Sequence, residues 1–497
     1  LQPRVERHLR HPGRTGAAGD GRAQGHSHRR RAGPAGRARQ DARALRQSRH
    51  DHRALRGAER GAGHARDARP DLAHHHAVPR ARHHLPRRRG AGHRQGGHRP
   101  RYAAGRPDEP GFAQDLRPQG HRRAVCAAQA ACAHRGADLF FGRNEDCGIR
   151  CIYHGWKYDI HGNCIDMPNV PKDAAYHGKI KIKSYPTQEF ADMVWAYMGP
   201  PDIQPIEVPQ LEAGLVPPSH RYVTKRLVEC NWTHSMEGAL DTAHFSFLHM
   251  PAPAYRKDDS SNIAADESRI RWLRNDPAPR FKIIDHAVGF LIGGARNADP
   301  GDHYWRLTQY MIPTHSITPS AMPNETYYGY SWVPIDDHHC WMYVYAWHPD
   351  VAIPYEERKK YIKGGYGQFA ELGPGYVPLR NRSNTYLMSR EEQKTISFTG
   401  IRGIAEQDQM AQESQGYIID RTKENLSPTD VGIIRFRKLL LQEAKAFAAG
   451  KRPDAPNQAK EYCVRGGGAH TKASLALEQV MEERFGSITG KVNHANN

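Results

Sequence analysis

Two cysteines and two histidines stand in short pairs early in this chain. One residue separates Cys132 from His134, two separate Cys151 from His154, and sixteen lie between the pairs. Thiolates suit one iron of a 2Fe-2S cluster and neutral imidazoles suit the other. That mixture lifts the reduction potential above that of an all-cysteine cluster. Such a centre moves single electrons. Zinc accepts the same donors, and spacing alone does not exclude it.

A second set of donors lies further along. Glu237, Asp241 and His244 are spaced i, i+4 and i+7, one face of a helix. His249 is five residues beyond His244, about 140° further round a continuous helix. Both histidines reach one metal only if the helix ends or unwinds between them. Two histidines and one carboxylate with open positions form the facial triad of non-haem Fe(II) oxygenases. The carboxylate must come from a distant segment, and residues 405–416 offer Glu406, Asp408 and Glu413.

Strands and tight turns are needed to position these groups. Residues 149–153, 179–183 and 193–197 alternate or are rich in β-formers. Gly136, Gly142, Gly148, Gly155 and Gly162 punctuate them. The two Cys/His pairs fall on two loops that must converge. Gly155 allows close backbone approach there, and Trp156 is expected to shield one side. Residues 327–333 and 340–347 read as an antiparallel pair around Asp336 and Asp337, with further strands over 290–292 and 304–312. A helix is expected after Asp408. A long one starts at Ser427, with Ile433, Phe436, Leu440, Ala444 and Phe447 on one stripe. The tail beyond about 455 is polar, with three glycines at 466–468 and one more helix.

The net charge of the 497-residue chain is +19, but residues 1–130 alone hold 30 Arg, no Lys and 10 Asp plus Glu. Residues 131–497 therefore sum to −1. This body gives no electrostatic reason to expect nucleic acid or an anionic membrane as partner. Eight cysteines in so long a chain do not suggest a disulfide framework. Cys126, Cys147, Cys164, Cys230, Cys340 and Cys463 read as thiols of a reducing cytosol. No apolar run is long enough for a membrane span, and no secretory h-region is present.

The first quarter lacks Ile, Lys, Met, Asn and Trp, and has one Phe, Phe112, and one Tyr, Tyr102. Such a segment cannot bury enough surface to offset its ordering entropy. Its amino acids are those of GC-rich codons, and ordinary composition begins abruptly near Cys132. It reads as a frame-shifted translation, with the true frame resuming at about Ala131. A disordered basic arm for nucleic acid and a His-rich metal tract at 74–76 and 83–84 are the other readings.

Residues 132–142 (Cys-Ala-His-Arg-Gly-Ala-Asp-Leu-Phe-Phe-Gly) and 151–159 (Cys-Ile-Tyr-His-Gly-Trp-Lys-Tyr-Asp) closely resemble the Rieske domain of ring-hydroxylating oxygenases. Asp241, His244 and His249 resemble the D-x2-H-x4-H signature of their catalytic domains. The tail, Tyr304-Trp-Arg306 and Glu413-Ser-Gln-Gly416 look most like the phthalate 4,5-dioxygenase branch.

The resemblance implies an α+β fold. A small all-β Rieske 2Fe-2S domain would occupy 131–200. A helix-grip (START-like) α+β catalytic domain with a central antiparallel sheet would occupy 201–455, and a polar extension 456–497. It implies Cys132, His134, Cys151 and His154 as cluster ligands. It implies His244, His249 and Asp408 as mononuclear iron ligands, with Glu406 and Glu413 as alternatives to Asp408. Asp241 would couple the two metals across a subunit interface, lying against His154 of a neighbouring subunit, with Asn231 and Glu237 in support. A substrate carboxylate suits the planar fork of arginine, and Arg280, Arg296 and Arg306 are the candidates.

The implied enzyme is the oxygenase component of a cytoplasmic multi-component system, a homotrimer or hexamer. It would take NADH electrons through a separate flavin and 2Fe-2S reductase, since no Gly-rich dinucleotide fingerprint stands out here. With O2 it would cis-dihydroxylate or O-demethylate an aromatic carboxylate. The alternative is a Rieske electron-transfer protein without oxygenase activity, which needs no second metal.

Overall fold

The computed structural model describes residues 112–115, 125–174, 176–200, 207–252 and 267–492. The readings of the arginine-rich segment fall almost wholly outside them.

Two small sheets build the first domain. β1 (Phe112–Asp115) pairs antiparallel with β2 (Val125–Ala128), which pairs in turn with β7 (Ser184–Tyr185). The other sheet runs in sequence order: β3 (Arg143–Glu145), β4 (Gly148–Arg150), β5 (Lys157–Asp159) and β6 (Cys164–Asp166). Leu139, Ile149, Trp156, Tyr158 and Ile182 fill the core between them. A hairpin of β8 (Thr187–Phe190) and β9 (Met193–Ala196) follows. β1 and β2 lie upstream of residue 131, where this domain needs strands that the arginine-rich sequence does not mark.

The strand expected over 179–183 is not regular. A 3-10 turn, His177–Lys179, precedes a single bridge between Asn163 and Lys181. The alternation was sound, since Ile182 is buried and Lys183 exposed. Pairing is limited because the segment crosses the Gly162 turn, donating from the Ile182 amide to the Gly162 carbonyl at 2.8 Å.

The catalytic domain is one antiparallel sheet. Its strands are β10 (Arg221–Val228), β11 (Arg280–His286), β12 (Gly289–Asn297), β13 (Asp302–Met311), β14 (His315–Ile317), β15 (Tyr327–Pro334), β16 (Cys340–Trp347) and β17 (Gly467–Lys472). The order is β10-β16-β15-β14-β13-β12-β11. β14 pairs one end of β13, and β17 pairs the other. β15 and β16 alternate as their sequences dictate, turning Tyr330, Trp332, Met342, Val344 and Ala346 into the core.

Of the helices packed against this sheet, three bear on the site. α1 (Trp232–Leu240) is capped by Asn231, whose side chain accepts from the Thr233 amide at 3.1 Å. α2 (Ile404–Ser414) contains Asp408 rather than following it. α3 (Val431–Ala448) starts after the expected Ser427, which forms a capping box with Asp430. Phe436 is its fully buried anchor, edge-on to Tyr310 and Trp232. The predicted stripe ends at Leu440, because Ala444 and Phe447 are exposed. The tail supplies β17, which was not expected, and a helix, Leu477–Phe485, which was. Among the described residues, no helix is long and apolar enough to cross a membrane.

Candidate functional site

Two loops of the first domain are built on one plan. The Cys132 amide donates to the Ala137 carbonyl at 2.9 Å and the Cys151 amide to the Trp156 carbonyl at 2.8 Å. Each cysteine carbonyl accepts from a glycine four residues on, Gly136 at 2.9 Å and Gly155 at 3.0 Å. Both glycines have positive φ, 72° and 80°, a conformation costly for any side chain. Arg150 braces the second loop, donating to Glu145, the Gly155 carbonyl and Asp166.

These turns bring the four predicted residues together. Cys132 and Cys151 are buried. The His134 and His154 rings lie 4.5 Å apart, and His134 Nδ1 is buried with no partner. Burial, then the nearby His134 and Arg135, hold the His154 pKa below its ordinary value. Neutral imidazoles and two converging thiols fit a Rieske cluster. Trp156 stacks on His134 at 4.6 Å, held by Asn169. The Tyr158 hydroxyl accepts from the Ala133 amide at 3.2 Å and lies 3.2 Å from Cys132 Sγ.

The second site forms where α1 stops. The helix ends at Leu240, and Asp241 is its extended C-cap. His244 begins a 3-10 turn, His244–Ser246. The expected helix face of Glu237, Asp241 and His244 is thus broken, and this break lets His249 reach the same point as His244. His244 Nε2 lies 3.6 Å and His249 Nε2 3.1 Å from Asp408 Oδ1. One donor atom from each residue falls within 4.8 Å of the others.

The donor chemistry fits a metal ion. The Nδ1 atoms are engaged, His244 with Asp241 Oδ2 at 3.3 Å and His249 with Gln407 Oε1 at 2.7 Å. The two Nε2 atoms are buried without a hydrogen-bond partner. Burial opposes the Asp408 charge, but His249 and His244 hold its pKa below the ordinary value. The alternatives behave oppositely. Burial pushes both Glu406 and Glu413 up, and both face elsewhere. Glu406 accepts from the Glu371 amide, while Glu413 accepts from the Glu229 amide, Gln409 and Tyr386.

Glu237 does not face the metal donors. It receives Arg421 at 3.0 Å and Arg437 at 2.8 Å, tying α1 to α3. Gly238 lets α2 approach, since a Cβ there would lie 2.5 Å from Gln412 Nε2.

A cavity opens beside the donors, lined by Arg226, Asp241, His244, Phe245, Tyr330, Gln368 and Asp408, among others. Of the predicted arginines, Arg280 lies on the edge strand β11, half exposed and bound to Asn297 and His303. It does not line the cavity, because the edge strand turns it to solvent. Arg296 and Arg306 are buried and converge on Thr242, through its carbonyl and its hydroxyl, each at 2.6 Å. Burial, then Arg306, push Arg296 down to about 10. Arg306 also lies 3.7 Å from the centre of the Phe245 ring, with Nη2 unpartnered. The cation on the cavity wall is Arg226, which sequence reasoning missed. It donates to the Gln368 carbonyl at 2.9 Å, and its Nε has no partner. Gln407 was also missed, for nothing local marks either residue.

Residues 116–186 match the family model for the Rieske 2Fe-2S domain, and residues 196–460 match the one described as LigXa C-terminal domain like. The 3-chlorobenzoate-3,4-dioxygenase oxygenase subunit of Comamonas testosteroni is 32% identical over 382 residues, 73% of this chain and 85% of the relative. The phthalate 4,5-dioxygenase oxygenase subunit of Pseudomonas putida is 36% identical over 334 residues, 64% of this chain and 72% of the relative. The 5,5'-dehydrodivanillate O-demethylase oxygenase subunit of Sphingobium sp. is 27% identical over 335 residues, 65% and 68% respectively. The chain belongs to the Rieske non-haem iron ring-hydroxylating oxygenases, phthalate dioxygenase branch: an oxygenase subunit that uses O2, carries a Rieske cluster and a mononuclear iron, and draws NADH-derived electrons through a separate electron-transfer partner.

Proposed function

We propose that this subunit hydroxylates or O-demethylates an aromatic carboxylate, with Cys132, His134, Cys151 and His154 holding the cluster and His244, His249 and Asp408 holding the iron. The observation that carries the reading is the convergence of two unpartnered, buried Nε2 atoms on one ionised carboxylate beside a cavity lined by Phe245, Tyr330 and Met342. When bound, the iron supplies the site at which O2 is reduced. The protein's residues do the rest. Asp241 accepts from His244 Nδ1 and so selects the tautomer of the neutral ring that leaves Nε2 to a metal. Phe245, Tyr330 and Met342 wall the substrate space. Arg226 at the wall and Arg306 behind Phe245 are the buried cations available to a carboxylate, and a guanidinium recognises it bidentately. The named relatives act on chlorobenzoate, phthalate and a divanillate, which supports the substrate class.

The electron partner of this reading is a flavin and 2Fe-2S reductase. The assembly is a homotrimer or hexamer in which His154 of one subunit faces Asp241 of the next. Ile152 and Tyr153, exposed beside the cluster ligands, suit such a contact. The test is turnover with a phthalate-type reductase, offering phthalates, chlorobenzoates and methoxylated aromatic acids. An oxygenated product, or formaldehyde with a demethylated one, is expected. NADH-dependent cluster reduction with no oxygenated product from any of these would contradict the reading.

A further inference from the structure

On its Nδ1 side His249 meets a neutral amide rather than a charged group. Its ring is buried, and Nδ1 lies 2.7 Å from Gln407 Oε1. Gln407 Nε2 donates to the Ile401 carbonyl at 2.8 Å. A carbonyl oxygen only accepts, so this bond decides which end of the amide faces the imidazole. The amide oxygen faces it, and that oxygen also only accepts. His249 Nδ1 must therefore carry the ring proton. In the neutral ring Nε2, 3.1 Å from Asp408 Oδ1, is then the lone-pair nitrogen.

The Ile401 carbonyl is itself fixed. Hydroxyls of Ser397 and Thr399 approach it at 3.3 and 3.4 Å. The same turn grips the chain just beyond His249. The Phe398 amide donates to the Met250 carbonyl, and the Ala252 amide to the Ile396 carbonyl, both at 2.9 Å. One turn, residues 396–401, thus anchors both the backbone just after His249 and the amide that orients its ring.

We propose that Gln407 is a positioning residue for the mononuclear iron, selecting the His249 tautomer that offers Nε2 to the metal. This rests on the reading of His249 as an iron ligand. The two imidazoles are then unequal. His244 faces the carboxylate of Asp241 and is the more basic donor, while His249 faces a neutral amide.

The test uses the full chain with Fe(II), its affinity read by chelator competition and its geometry by the EPR spectrum of the nitric oxide adduct. The cluster absorbance reports folding. Gln407→Leu removes the acceptor and is expected to weaken Fe(II) binding about 10- to 100-fold, with the cluster spectrum intact. Gln407→Glu keeps an acceptor for Nδ1–H. It is expected to recover most of that affinity while changing the EPR rhombicity, because the imidazole becomes more basic. Wild-type affinity and rhombicity in Gln407→Leu would overturn the proposal. So would loss in Gln407→Glu as deep as in Gln407→Leu, with the cluster intact. If Gln407→Leu fails to fold, Gln407→Glu decides alone, by affinity near that of the wild type with an altered EPR signal or by the loss of either. His249→Ala separates the two claims: if it keeps its iron the ligand reading fails, and if it loses iron while Gln407→Leu does not, only the role of Gln407 fails.

Discussion

Hydrogen bonds to sulfur and nitrogen tune both metal sites, and each has a single-residue test. The Tyr158 hydroxyl lies 3.2 Å from Cys132 Sγ; a cluster-bound thiolate only accepts, so Tyr158 would donate to it and stabilise the reduced, more negative cluster. Tyr158→Phe removes about 1 kcal/mol from that state, about 40 mV for a one-electron couple. Potentiometry should find the cluster potential lowered by that order, with an unshifted spectrum; an unchanged or raised potential would count against the assignment. On the substrate side, Arg226→Met and Arg306→Met each remove a charge-assisted partner worth about 1.5–3 kcal/mol. Each is expected to raise the KM of a carboxylate substrate about 10- to 100-fold and to leave the KM of its neutral amide analogue within a few-fold. Equal losses for acid and amide would mean a packing role instead. The Cys/His pairs and the His244/His249 pair stood out in the sequence because such residues at short spacing are chemically rare, whereas Asp408 lies in a distant segment where Glu406 and Glu413 competed with it. Arg226 and Gln407 did not stand out, since their roles arise only when β10 and α2 meet the loop from 241 to 249 in space.

At the scale of elements, the iron site depends on where α1 stops and what holds it. Glu237 is buried and shared between Arg421 and Arg437, which also reach Glu424. Glu237→Gln leaves guanidinium charge uncompensated and is expected to cost about 3 kcal/mol, seen as a lower denaturation midpoint. An unshifted midpoint would show the network to be idle. β14 holds a second lever. His315 is buried against Ser331 Oγ at 2.7 Å, and burial alone pushes its pKa down to about 4. The unfolded chain takes this proton near pH 6.5 and the native chain refuses it until about 4. Stability present above pH 6.5 is therefore lost as pH falls through that window, on the order of 3 kcal/mol in all. His315→Gln should flatten this part of the unfolding-versus-pH curve, and a curve parallel to wild type would refute it. Long alternating strands such as β15 and β16 were read within a residue or two, because each side of the ribbon meets one environment. The strand expected over 179–183 was not formed, because alternation reports burial but not a pairing partner. The glycine-rich β17 was missed because glycines carry no side-chain pattern, although its slot beside β13 needs their small size.

For the whole molecule, the central question is how electrons from the cluster reach the iron. If they cross between subunits, two inactive chains complement each other. Oligomers mixed from His154→Ala, without a working cluster, and Asp408→Ala, without iron, are expected to regain a measurable fraction of activity. Mixtures as dead as either parent would argue for transfer within one chain. The measurement that bears most directly on the account is iron per chain. About three irons are expected in the reconstituted wild type, two in the cluster and one between His244, His249 and Asp408. Asp408→Ala should hold about two, with an unchanged Rieske spectrum and no oxygenated product. Three irons and full activity in that variant would contradict the second metal site as drawn here.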